Sequence, residues 1–395
     1  MQFQDRTIVH MDMDTFFVSV ERLLNPALNN RPVIIGSLSD RGVVASCSYE
    51  ARQFGIHSAM PMKMALNLCH DATVIRGDMD LYSKYSRLVT DVIAEKSPLY
   101  EKASIDEHYL DITGMDRFWG AQKWTHELRQ TIIRETGLPI SCGLSVNKTV
   151  SKIAAGEAKP NGEKEVDQYG VRSFLNPLPI RKIPMIGPKT CQLLLSMGVA
   201  NIETLSAIPM EMMESVLGKN GIEIWRRANG IDFSPVIPYS EEKSISSEQT
   251  FETDTIDVVM LERILTAMTE KLCFKLRNKE RLASVITIKI RYANYDTHTI
   301  QQKLAYTAFD HTLIETARAL FKRLYQRRML VRLIGVKLGG LISGAQQLNL
   351  FDNNEKQVKL YLSMDKIRRR YGVNAIRRAS GIERYNPLHV KSPAR

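Results

Sequence analysis

Ala103-Ser104-Ile105-Asp106-Glu107-His108-Tyr109-Leu110-Asp111 reads as a half-buried strand that carries two adjacent acids. In a regular strand neighbouring side chains point to opposite faces, so Asp106 and Glu107 converge on one site only where a tight hairpin turn lies between or beside them. A second apolar run near the N-terminus, Ile8-Val9-His10-Met11, also ends in carboxylates, at Asp12-Met13-Asp14. If the two strands are neighbours, Asp12, Asp106 and Glu107 form a cluster of hard oxygen ligands suited to Mg²⁺, an ion usually held by few carboxylates plus substrate phosphates. Either pair taken alone also reads as the solvated end of a strand.

The chain has 395 residues, more than one ordinary core accommodates, so roughly two to four domains are expected. With 44% apolar and 25% charged residues it has a globular composition. No apolar run approaches the roughly 20 residues that span a bilayer, and Asp5-Arg6 breaks the N-terminus before a signal-like segment forms, which predicts a cytoplasmic protein with no membrane contact. The five cysteines, Cys47, Cys69, Cys142, Cys191 and Cys273, show neither CxxC nor Cys/His ligand spacing. They read as free thiols rather than as a zinc site or a disulfide framework.

The net charge of +11 is unevenly spread. Residues 268–340 carry 15 Lys/Arg against 5 Asp/Glu and residues 352–395 carry 11 against 4, which leaves residues 1–267 at −6. An acidic front half with carboxylate-ended strands and a basic rear half suggests metal chemistry in front and a polyanion, nucleic acid, gripped behind. A basic surface that merely aids solubility gives the same count.

Strand and helix patterns alternate up to residue 165, as in an α+β or α/β domain. Helices are expected over residues 15–23, 62–68, 81–93 and 121–136. Arg31-Pro32-Val33-Ile34-Ile35-Gly36 pairs in a hairpin with Gly42-Val43-Val44-Ala45-Ser46-Cys47, and residues 72–75 and 140–145 form further strands. Past Asn161-Gly162, residues 166–232 break into short helices between prolines and glycines, the pattern of a compact helical domain, and residues 233–243 read as a linker. Beyond it a helix-strand pair occurs twice, with Val285, Thr287, Lys289 and Arg291 alternating against Ile286, Ile288 and Ile290. That predicts a small α/β sandwich whose polar sheet face bears cations. The tail, from residue 358 to 379, reads as two short basic helices.

Ile183-Pro184-Met185-Ile186-Gly187-Pro188-Lys189-Thr190 fits a helix-hairpin-helix, in which backbone N–H groups at Gly187 and the nearby Lys189 meet a nucleic-acid phosphate without reading sequence; a turn between packed helices is the plainer alternative. Tyr49, Arg52 and Lys159 offer a hydroxyl, a bidentate fork and a point charge for a triphosphate. Phe16 and Phe17 read first as core. Gln347-Leu348-Asn349-Leu350-Phe351 sits in an uncharged gap, and an extended peptide with Gln347, Leu350 and Phe351 suits docking in a partner's apolar pocket, although a stretch with accidental apolar residues reads the same.

Asp12-Met13-Asp14-Thr15-Phe16-Phe17, Tyr49-Glu50-Ala51-Arg52, Ser104-Ile105-Asp106-Glu107, Gly143-Leu144-Ser145-Val146-Asn147-Lys148 and Ala158-Lys159-Pro160-Asn161-Gly162 resemble, in order and spacing, the signatures of Y-family translesion DNA polymerases of the DNA polymerase IV, or DinB-like, type. The resemblance covers about residues 5–351. It implies an α+β, multidomain, right-hand polymerase: an α/β palm from residues 1–14 and 78–165, small fingers from 15–77, a helix-hairpin-helix thumb from 166–232 and, after the linker, a DNA-binding α/β little finger from 244–345. A clamp-binding peptide at 346–352 and a basic tail at 353–395 complete the expected layout. By the same resemblance Asp12, Asp106 and Glu107 are catalytic carboxylates that hold two Mg²⁺ with the Met13 carbonyl. Tyr49, Arg52, Lys159 and, more weakly, Ser46 contact the incoming triphosphate, and Phe17 is the steric gate that rejects a ribose 2′-hydroxyl. Asp14 and Asp111 then lose their claim as ligands. His108 departs from the small residue that many members carry there, which alters packing behind the acids without removing a ligand.

These readings predict a monomeric DNA-directed DNA polymerase of low fidelity and processivity. Its expected partners are primer-template DNA, dNTP and, through Gln347 to Phe351, the sliding clamp. The alternative from another class is a non-catalytic DNA-binding scaffold recruited to the clamp. A nucleotidyl cyclase-like palm accounts for the paired acids but not for the hairpin helices or the basic rear half.

Overall fold

A computed structural model describes residues 6–115, 120–239, 241–325, 329–344 and 355–381. The Gln347 to Phe351 peptide lies outside the described residues. The chain divides into two compact units, Met1–Ser240 and Glu241–Arg395.

The first unit runs through β1 (Ile8–Met13), α1 (Phe16–Leu24), β2 (Val33–Gly36), β3 (Val44–Cys47), α2 (Tyr49–Gln53), α3 (Met62–Leu68), β4 (Thr73–Ile75), α4 (Met79–Lys96), β5 (Tyr100–Lys102), β6 (Glu107–Asp111), α5 (Ala121–Thr136), β7 (Ile140–Ser145), α6 (Lys148–Ala158) and β8 (Glu163–Glu165). Its main sheet has the order β5-β6-β1-β7-β8, antiparallel except for the parallel β7–β8 pair. β1 is central and covered on both faces, which is why its apolar run is nearly continuous rather than alternating. Val9 and Met11 pack with Val89 and Ile93 of α4 and Leu128 and Ile132 of α5. The insert forms its own sheet, β3-β2-β4, over a small core of Ile34, Val44, Cys47 and Ala51.

Helices α7 (Val171–Leu175), α8 (Pro188–Ser196), α9 (Ile202–Ala207), α10 (Met210–Leu217) and α11 (Lys219–Ala228) follow. Their core also takes in Val150, Ile153 and Ala154 of α6, alongside Leu194, Ile202, Leu205 and Ile224. Helix α6 is apolar on two sides, one against β7 and one against these helices. The close fit to β7 depends on Gly143: a Cβ there would stand 2.0 Å from the Ser151 carbonyl oxygen and 2.4 Å from the Ala155 nitrogen.

The second unit runs β9 (Ser244–Thr255), α12 (Val258–Asn278), β10 (Arg281–Tyr292), β11 (Thr297–Thr307), α13 (Asp310–Leu324), β12 (Val331–Gly339), β13 (Ile342–Ser343) and α14 (Glu355–Tyr371). Its antiparallel sheet has the order β11-β10-β12-β9. Ile286, Ile288 and Ile290 are buried against Leu261, Leu265 and Leu272 of α12 and Leu313 of α13, whereas Lys289 and Arg291 take the other face, as the alternation predicted. β9 and β11 escaped the sequence reading because both are edge strands of mostly exposed polar residues, which leaves no apolar alternation to detect. The tail also differs from expectation: one 17-residue helix, α14, replaces two short ones, followed by a 3₁₀ turn at Ala379–Gly381.

Candidate active site

The register of the main sheet decides the site. Asp12 on β1 lies opposite Glu107 on β6 and Ser141 on β7, and the Met13 N–H donates to the Asp106 carbonyl at 3.0 Å, so the acid-bearing strand ends are tied together. A hairpin turn does lie beside the two acids. The Ala103 and Ser104 N–H groups donate to the Glu107 carbonyl, and the Ser104 hydroxyl oxygen accepts from the Asp106 and Glu107 N–H groups at 3.2 and 3.0 Å. The same hydroxyl donates to Asp106 Oδ1 at 2.5 Å. This serine-centred turn presents two consecutive carboxylates on one side of a sheet that would otherwise separate them.

Two ammonium groups answer the acids. Lys159 Nζ donates to Asp12 Oδ1 and Lys152 Nζ to Glu107 Oε2, each at 2.5 Å. Burial outweighs Lys159 at Asp12 and raises its carboxyl to about 6. Glu107 goes the other way: His10 beside it and Lys152 hold it down to about 2 against the desolvation. The His10 Nε2 to Glu107 Oε2 separation of 3.7 Å exceeds hydrogen-bond length, so Lys152 is the firmer hold. Among the described residues no three His, Cys, Asp or Glu side chains stand close enough to ligate one ion, because Asp12 is turned to Lys159 and Glu107 to Lys152.

Asp12, Met13, Phe17, Ser46, Arg52, Asp106, Glu107 and Lys159 line one cavity of about 250 Å³. Eight of the positions singled out in the sequence therefore meet around one space, drawn from β1, α1, β3, α2, the β5–β6 turn, β6 and the loop after α6. Phe17 is half-buried, its ring stacked on Tyr82 at 4.3 Å, and the Tyr82 hydroxyl donates to Glu21 Oε1 at 2.6 Å. The phenyl ring is thus held from behind by the core while it borders the cavity, which joins the two readings of this residue.

Tyr49 lies apart. It lines an adjoining cavity of about 350 Å³ with Asp14 and Asn161, and its hydroxyl donates to Asp14 Oδ1 at 3.2 Å. Asp14 itself is buried and also accepts from the Ser141 hydroxyl at 2.8 Å and the Asn161 N–H at 2.6 Å, a structural carboxylate rather than an open ligand. Gly187 is the exposed N-cap of α8 and Lys189 is exposed in its first turn, and neither lines this cavity.

His108, the departure in the central stretch, is fully buried. Its Nε2 lies 3.0 Å from the Thr90 hydroxyl of α4, and burial together with Lys102 depresses its pKa to about 3, so it is a neutral packing residue behind the sheet. Sequence reasoning gave no role to Lys152 or Arg129. Lys148 and Lys152 are four residues apart and share a helix face, and they reach Glu101 and Glu107 respectively, a spacing that was available as a signal. Arg129 on α5 is buried and donates to the Ile140 carbonyl at 2.8 Å, to Glu163 at 2.8 Å and to the Asn161 side chain at 2.6 Å. It clamps the turn that carries Lys159.

Comparison with known proteins agrees with this geometry. Residues 11–156 match the impB/mucB/samB family and residues 242–350 its C-terminal domain. The chain is 40% identical to the DNA polymerase IV of Dehalococcoides mccartyi strain CBDB1 over 94% of its own length and 96% of the relative's. It is 37% identical to DNA polymerase IV 2 of Methanosarcina mazei over 84% and 91%. Among solved structures, a Y-family DNA polymerase chimera of Dbh and Dpo4 superposes with a TM-score of 0.76 at 26% identity, over 86% of this chain and all of that one. An insertion ternary complex of the Dbh DNA polymerase gives a TM-score of 0.63 at 25% identity over the same shares. No helix among the described residues is long and apolar enough to cross a membrane. With the palm-like sheet, the acids at its centre and relatives of matching length, the chain belongs to the impB/mucB/samB family of Y-family DNA polymerases and is a DNA-directed DNA polymerase of right-hand architecture.

Proposed function

We propose that the protein extends a primer from dNTP on a DNA template, damaged bases included, with low fidelity and processivity, using two Mg²⁺ ions. The observation that carries this is the single cavity that gathers Asp12, Asp106 and Glu107 with Phe17, Ser46, Arg52 and Lys159. The donor set suits the ions: hard oxygens from three carboxylates and the Met13 carbonyl, at carboxylates that already hold cations in the form of Lys159 and Lys152. When bound, the two Mg²⁺ lower the pKa of the primer 3′-hydroxyl and neutralise the triphosphate and the departing pyrophosphate.

The chain's own residues do the rest. Asp12, Asp106, Glu107 and the Met13 carbonyl would hold the ions, and the Lys159 ammonium beside Asp12 would meet phosphate oxygens of the nucleotide. Arg52 adds a bidentate guanidinium, and Tyr49 adds its hydroxyl on turning from Asp14. The 3′-oxygen forms the new bond to the α-phosphorus as the α–β linkage breaks and pyrophosphate leaves. Phe17, backed by Tyr82, rejects a 2′-hydroxyl. The small residues of β3, with Ala45 exposed, leave room for an irregular base pair, which is the reading's support for lesion bypass. The exposed Gly187 and Lys189 hold a duplex phosphate, Gln347, Leu350 and Phe351 engage the sliding clamp, and one copy suffices. In this reading residues 15–77 are fingers, 166–232 the thumb and 244–345 the little finger.

Primer extension tests the proposal. Asp106→Ala is expected to lose at least about a thousandfold in rate while still binding primer-template; wild-type rate in that variant, or extension by the wild type without a divalent ion, rejects it. Phe17→Ala is expected to incorporate ribonucleotides, and unchanged sugar discrimination removes Phe17 as the gate.

A further inference from the structure

Helix α14 lies beyond both family-matched stretches, and charge fixes it to its unit. Arg368, with 1% of its side chain exposed, donates to Glu270 of α12 at 2.5 Å and lies 3.6 Å from Asp365. Arg277 of α12 in turn holds Asp365 at 2.6 Å and Asp310 of α13 at 2.5 Å. Tyr361, on the same inward stripe, accepts from the His311 N–H at 3.2 Å. Buried charges persist only in well-paired geometry, so this network gives α14 one orientation and thereby fixes its outward face.

That face is cationic. Lys356, Lys359, Lys366, Arg369 and Arg370 are exposed, as is Arg377 after the helix, and Asp365, the one acid among residues 356–381, is buried and paired. Lys356, Lys359, Lys366 and Arg370 fall on one side by helical spacing. They extend over about 21 Å at the usual rise, a length along which a nucleic-acid backbone presents several phosphates. α14 rests on α12 and α13, which cover the Ile286, Ile288 and Ile290 face of the sheet, so its cations point away from those of Lys289 and Arg291.

We propose that α14 is an additional nucleic-acid contact that grips the phosphate backbone of DNA without reading bases. The inference rests on the polymerase reading, which brings the polyanion. The test is equilibrium binding of the full chain to two DNAs across a salt series, one primer-template with a long duplex and one with a long single-stranded template overhang. Lys356→Gln/Lys366→Gln/Arg370→Gln is expected to keep the wild-type thermal midpoint, bind at least one of the DNAs about tenfold or more weakly at low salt, and flatten the slope of log Kd against log salt by about 2 to 3. Lys356→Arg/Lys366→Arg, with Arg370 left in place, keeps the slope. The arm that changes tells whether duplex or single strand is held. Equal affinity and slope for wild type and Gln variant in both arms overturn the inference, and they do so even if the surface serves an acidic protein instead. A wild type that binds neither DNA overturns the polymerase reading and this inference with it.

Discussion

Asp12 works against its surroundings. Burial raises its carboxyl to about 6 from an ordinary 3.8, so ionising it near neutral pH costs the metal-free fold free energy that Lys159 does not fully return. A raised carboxyl contributes stability below its unfolded value and loses it as pH rises through the folded one. Asp12→Asn is therefore expected to raise the thermal midpoint of the metal-free protein at pH 7.5, with the gain shrinking as pH falls from about 6 toward 4; a pH-independent difference contradicts this origin. The same proton competes with Mg²⁺, so half-saturating Mg²⁺ in primer extension should rise up to tenfold per unit below pH 6. The acids were legible in the sequence because two adjacent carboxylates in a strand pattern demand a turn. Arg129 was not, since a buried Arg within an amphipathic helix looks like any solvated charge, and its partners at Ile140, Asn161 and Glu163 come from later strands and turns.

Helix α6 links the acids to the helices that follow, because it packs against β7 on one side and supplies Val150, Ile153 and Ala154 to their core on the other. Its seat on the sheet requires a residue without a side chain at position 143. Gly143→Ala forces a methyl group into backbone atoms of α6, and a loss of about 3 kcal/mol in denaturant unfolding of the first unit is expected, together with a weaker hold of Lys152 on Glu107. An unchanged midpoint means that the helix and strand separate freely. Helical and central-strand elements were read closely from periodicity, residues 121–136 and 140–145 to the residue. The edge strands β9 and β11 were not, because a strand with solvent on much of both faces carries no period-two apolar signal.

In the molecule as a whole, the basic rear half is not a uniform cationic coat. Arg368, Arg369 and Arg370 are consecutive, yet the first is buried in an ion network and the other two are exposed. Sequence shows only the run, because Glu270, which sorts it, lies 98 residues earlier. Arg368→Ala leaves Glu270 and Asp365 without this partner at a cost of about 3 to 5 kcal/mol, or releases α14 if docking is worth less. Limited proteolysis within Glu355–Tyr371 should therefore run faster in the variant than in the wild type, and equal rates would show that the network does not hold the helix.

The docking of α14 also changes what kind of object the Gln347 to Phe351 peptide is. Gly344 follows β13 and Glu355 opens α14 in the same unit, so the ten residues numbered 345–354 connect two points of one body. A chain of ten residues spans at most roughly 35 Å, so its midpoint lies within about 20 Å of one or other end. Whatever captures that peptide is thereby drawn close to the second unit, whereas the same five residues on a loose terminus would search a far larger volume.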